Sequence, residues 1–148
     1  MKGNRFKIIL LFAIVAVAVV FACDRKEKPS GELAVSDQSF FIRQDNENAY
    51  VIDCRGKIKN VGQYDVKRVV VTANCLSCGE QIIIGEWFVS DIEKTDAQRD
   101  TISYIAAGDE EEFELKDVAF IYNTVSEPPD HMPEDFEVVI ESFETVTP

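Results

Sequence analysis

One histidine and one tryptophan stand in 148 residues, and the 15 lysines and arginines are outnumbered by 27 acids. With His131 alone, the chain lacks the imidazole pairs that much acid–base and metal chemistry requires. No serine or cysteine has a histidine in a context that suggests a catalytic triad, and no glycine-rich phosphate loop occurs. A formal net charge of −12 repels a phosphate backbone, which excludes nucleic acid as an expected partner. No internal repeat is present, and no amphipathic helical period appears after the first thirty residues. No catalytic residue, metal or cofactor is therefore expected.

What is present begins with a leader. "MKGNRFK" carries Lys2, Arg5 and Lys7 without an acid, and an unbroken apolar run follows from Ile8 to Ala22. This is the layout of a signal peptide. Fifteen residues make about 22 Å of helix, short of the ~30 Å hydrocarbon core, so cleavage fits better than a span. The run ends in "VFAC", which resembles the lipobox of bacterial lipoprotein signals, with Val20 where leucine is usual. The resemblance implies lipidation at Cys23, cleavage before it, and a membrane anchor on the extracytoplasmic side of the bacterial cell envelope. Loss of residues 1–22 leaves 12 basic residues against 27 acids, a charge of −15. Anionic lipid would repel such a domain, so the acyl chains must hold it. "DRKEKPSGE" has no apolar residue and reads as a polar tether. The expected organisation is a signal peptide at 1–22, lipidated cysteine and tether at 23–34, and one domain at 35–148.

From Phe40 onward the pattern alternates with period two. In "YVIDCRGKIKN", Tyr50, Ile52, Cys54 and Ile58 share one parity, while Asp53, Arg55, Lys57 and Lys59 share the other. One strand with a buried and a wet face is predicted. "NVGQYD" is a turn, and "VKRVVVTANC" a second strand with Val69, Val71, Ala73 and Cys75 on one face. "QIIIGEWFV", "TISYIAAG", "FELKDVAFIYN" and "FEVVIESF" complete the set, and "NTVSEPPDHMPED" is a loop joining the last two strands. The expected fold is all-β, an immunoglobulin-like antiparallel β-sandwich of about seven strands behind the leader. Trp87 is expected in its core. The acids of "GDEEEFE" are expected to form a solvated turn rather than a calcium site.

Two segments resemble the FxLyD-type immunoglobulin-like domains. "GKIKNVGQYDVKRVVVTANC", Gly56 to Cys75, is similar to their second and third strands, and "AAGDEEEFEL", Ala106 to Leu115, to a later segment. The sequence departs from the family at "NCLSCGE". Such modules occur in envelope lipoproteins, and the resemblance implies no catalytic residues.

Cysteines outside the cytosol are usually paired. Cys54 and Cys75 lie on inward parities at similar distances from the "NVGQYD" turn, whether as hairpin neighbours or on opposite sheets. Their disulfide is expected, with Cys78 as the spare thiol or the alternative partner. A closed loop of about 21 residues would stabilise by roughly 3 kcal/mol. The functional expectation is a membrane-anchored lipoprotein whose sandwich is a non-catalytic binding or assembly module for another envelope protein. The rival is an extracytoplasmic thiol-redox or metal-binding protein using Cys54, Cys75 and Cys78, with His131 completing a zinc shell.

Overall fold

The computed structural model describes residues 31–90 and 93–147. The leader, Cys23 and most of the tether lie outside the described residues. Six strands are described: β1 (Leu33–Asn46), β2 (Ala49–Asn60), β3 (Val66–Cys75), β4 (Arg99–Ile105), β5 (Glu110–Tyr122) and β6 (Phe136–Thr145). They form two three-stranded antiparallel sheets, one ordered β1-β2-β5 and the other β4-β3-β6. The architecture is an antiparallel β-sandwich, and strand β1 starts at Leu33, ahead of the expected boundary at 35.

Period two builds the core. Tyr50, Ile52, Cys54 and Ile58 of β2 face Val69, Val71, Ala73 and Cys75 of β3, joined by Phe113, Leu115 and Ile121 of β5. Their burial is the main driving force for pairing the sheets. Trp87 closes one end of this core and is buried. On one flank Phe40 of β1 stacks on Phe136 of β6, with ring centroids 4.3 Å apart. On the other flank, the Glu114 amide of β5 donates to Asp100 Oδ2 of β4 at 3.0 Å.

Among the described residues three non-glycines have positive φ, namely Asp37 at 52°, Arg68 at 50° and Asp117 at 59°. Each sits where the ladder slips: between Ser36 and Ser39 in β1, between Lys67 and Val70 in β3, and opposite Asp53 in β5. These are β-bulges, where extra residues on one strand require an unusual backbone. The β5 bulge is held from below. Asp53, buried on the outer face of β2, accepts from the Asp117 amide at 3.1 Å and from Arg43 Nε at 2.7 Å. Arg43 Nη2 donates in turn to Asp117 Oδ1 at 2.9 Å.

The strand directions define two poles. Residues 61–65, the β4–β5 turn at 106–109, Gly31 and the end of β6 share the near pole, where the Gly31 amide donates to Thr145 Oγ1 at 2.8 Å. The β1–β2 turn, residues 76–90 and 93–98, and residues 123–135 share the far pole. The "NVGQYD" turn therefore carries the chain from one sheet to the other and does not make a hairpin.

Candidate functional site

The two long far-pole loops are tied to the sandwich and to each other by backbone bonds. Phe88 and Phe120 exchange amide–carbonyl bonds at 2.9 Å, and the Gly85 amide donates to the Tyr122 carbonyl at 2.8 Å. Gly79 donates to the Trp87 carbonyl at 3.0 Å, and Val89 donates back to Gly79 at 2.9 Å. Trp87 Nε1 reaches across to the His131 carbonyl at 2.9 Å, and the Leu76 amide to the Asp135 carbonyl at 2.8 Å. The loops are thus pinned to the sandwich and to each other at these points.

"QIIIGEWFV" was expected to be a strand, and the structure corrects this. The Glu86 amide donates to the Ile83 carbonyl at 3.1 Å across a turn whose third residue, Gly85, has φ 82°. That is the φ a type II turn demands of its third position. A tight turn inside the run leaves no length for a ladder, and the isoleucines face solvent: Ile82 is 68% exposed, Ile83 47% and Ile84 65%. Beside them opens a cleft of 330 Å³ whose lining combines Ile84, Ile121 and Val125 with Asn123, Glu127 and Asp130. Val125 and Leu76 are also exposed.

The charge around this surface is one-sided. Among the described residues, 76–90 and 123–135 hold six acids and no lysine or arginine, and two of the acids, Glu127 and Asp130, line the cleft. Lys94, next along the first loop, is turned inward. Its ammonium donates to Thr72 Oγ1 at 3.0 Å, to Asn74 Oδ1 at 2.6 Å and to the Ala73 carbonyl. Burial holds its pKa below the ordinary lysine range.

The cysteines depart from the expected pairing. Cys75 is bonded to Cys78, with Cα atoms 5.5 Å apart, and among the described residues Cys54 is the free thiol. The expected Cys54–Cys75 bond fails because β2 and β3 belong to opposite sheets. Facing sheets pack ~10 Å apart, beyond the ~4.4–6.8 Å between Cα atoms that a disulfide spans. Aromatic bulk fills the interval, since Phe40 lies opposite Cys54 on β1 and Phe136 opposite Cys75 on β6. Cys78 is close to Cys75 because the chain turns immediately after β3. Burial raises the Cys54 thiol to about 11.

The thiols of the rival reading are therefore not gathered together, and the bonded pair follows a strand rather than opening a helix. Among the described residues no three or more His, Cys, Asp or Glu side chains converge as metal ligands would. Glu110, Glu111 and Glu112 lie on the first residues of β5 rather than in a turn, and Glu110 pairs with Lys57 at 2.7 Å. The Arg43–Asp53–Asp117 cluster was not anticipated. Burial raises the Asp117 pKa against the opposing pull of Arg43, while the Asp53 hydrogen bond raises that of Arg43. Its only forewarning in the sequence was an acid, Asp53, amid apolar residues. No protein-family model, curated protein or solved structure matches the chain.

Proposed function

We propose that the protein is a bacterial envelope lipoprotein, anchored through acyl chains on Cys23 and facing the extracytoplasmic side. Its sandwich, taken as an immunoglobulin-like module of the FxLyD type, serves non-catalytic binding or assembly with another envelope protein. The observation that carries the binding role is the solvent-facing run Ile82–Ile84, presented by loops that are hydrogen-bonded to a rigid sandwich. Contiguous exposed apolar surface of this kind marks interaction sites.

Two measurements test the reading. Cys23→Ser should abolish acyl labelling and leave the uncleaved precursor; unchanged labelling and mature size would exclude the anchor. A photocrosslinking amino acid at Ile83 should yield a protein adduct in native membranes, and one at Glu111 should not. Equal adducts at both positions, or none at Ile83, would count against the binding role. The thiol-exchange rival draws on one observation, the Cys75–Cys78 bond with Cys78 only half-buried. Catalysed reduction of insulin by the reduced protein would favour it.

A further inference from the structure

The occupant of the far-pole cleft is constrained by charge and by reach. We propose that the cleft lined by Ile84, Ile121, Val125, Glu127 and Asp130, with Ile82 and Ile83 exposed next to Ile84 in the chain, docks a protein segment that combines apolar side chains with lysine or arginine.

Charge argues first. Glu127 and Asp130 line the cleft, and Lys94, in the first loop, is engaged with β3. A segment that fills the cleft meets these carboxylates beside Ile84, Ile121 and Val125, and basic side chains flanking its apolar ones turn that acidic lining into an attraction. The same lining disfavours a second copy of this chain, because a two-fold contact would set acids against acids.

Reach argues second, and this part rests on the proposed anchor at Cys23. The chain enters the sandwich at the near pole, where Gly31 meets Thr145. The eight residues from Cys23 to Gly31, fully extended, span at most about 28 Å. Strand β2 runs 12 residues from pole to pole, about 40 Å. The tether is too short to invert the domain fully, so the far pole cannot sit end-on against the membrane that anchors it. A net charge of −15 on the mature chain further opposes contact with anionic lipid. What remains is a protein in the surrounding envelope with basic and apolar character on one segment.

The test uses the full chain in phosphatidylcholine nanodiscs and a fluorescent peptide of alternating leucine and lysine, read by anisotropy. Binding should weaken at least tenfold with Ile82→Ser/Ile84→Ser and at least tenfold when serine replaces lysine in the peptide. Glu111→Gln/Glu112→Gln, which removes acids at the near pole, should change affinity less than twofold. Equal binding by the isoleucine variant, equal binding of the leucine–serine peptide, or loss with the near-pole variant would each overturn the proposal. Sedimentation that shows a dimer abolished by Ile82→Ser/Ile84→Ser would replace it with self-association. Binding to phosphatidylglycerol vesicles abolished by the same variant would replace it with a lipid surface. Acyl labelling of Cys23 is measured in parallel. Lost peptide specificity with labelling intact overturns the docking site alone, whereas absent labelling with specificity intact overturns the anchor and leaves the argument from charge standing.

Discussion

At the near pole the chain reverses between Asn60 and Val66 and again over residues 106–109, and the two turns are tied to each other by a dense set of hydrogen bonds. Asn60 is the centre. Its side chain, fully buried, donates to the Tyr64 carbonyl at 2.8 Å and the Ile105 carbonyl at 3.1 Å, and accepts from the Gly62 amide at 3.1 Å. Its backbone binds Asp109 and Gly108 at 2.9 Å each. Asp65 accepts from Tyr104 and from the Ala107 amide, and the Tyr104 bond, then that amide, lowers its pKa. The far pole is built in the opposite sense, with long loops pinned at a few backbone points and isoleucines left outside. One pole is spent on holding the sheets together, and the other holds its apolar side chains out to solvent. A fold can present a sticky surface at one end when the opposite end needs no loop length to close.

The largest blow to that contrast should come from Asn60→Ala. It strands the buried Ile105 carbonyl and the half-buried Tyr64 carbonyl, while the Gly62 amide keeps the Glu32 carbonyl at 3.2 Å, and it should cost about 3 kcal/mol in chemical denaturation. A loss under 1 kcal/mol would show that water replaces the side chain and that the near pole is not the rigid one. Between the poles lies Cys54. Its folded thiol titrates at about 11 against 9.0 for the unfolded group. Because the folded pKa is raised, the stabilisation is complete below pH 9 and is lost as pH rises toward 11. The wild type should lose about 2–3 kcal/mol more than Cys54→Ala over that window. Parallel pH profiles for the two proteins would mean that the thiol is open to water.

Smaller effects belong to the far pole. The Cys75–Cys78 bond closes a loop three residues in separation, so reduction should cost at most about 2 kcal/mol by chain entropy, measured by denaturation with and without reductant. Larger destabilisation would make the bond a fastening of the whole sandwich. Least of all, Ile83→Ser should move stability by no more than about 0.5 kcal/mol, since its side chain is already half in water. A loss above 2 kcal/mol in the same assay would mean that the loop is part of the core, erasing the difference between the poles.

Period two made most of the sandwich legible. The inward sets on β2 and β3 are buried as their parity required, and the long proline-rich loop does join the last two strands. The first half of β1 escaped notice because the bulge at Asp37 shifts its inward residues from Leu33 and Val35 to Phe40 and Ile42, so no single alternation runs through it. Hydropathy also misplaced Ile82–Ile84, since three adjacent isoleucines look alike whether buried in a sheet or held at a turn. The deciding residue there was Gly85, whose positive φ breaks the run. Parity likewise placed Cys54 and Cys75 correctly on inward faces but carried no information on which sheet each face belonged to. The buried Asp53 was read as a wet-face residue because its neighbours Arg55, Lys57 and Lys59 are polar; the bulge it supports is a tertiary feature.

The β5 bulge has a consequence for how this sandwich tolerates change in length. Opposite Asp53 alone stand Lys116, Asp117 and Val118, a surplus of two residues on β5 over its partner. Leu115 before the surplus and Ala119 after it are both fully buried. Two extra residues are one full period of a strand, so the insertion is neutral in phase. Removal of two residues from this stretch would leave an unbulged strand with every face as it is, and removal of one would leave a single-residue bulge of the kind at Asp37, which keeps Ala119 opposite Ile52. At this position the strand has length to spare.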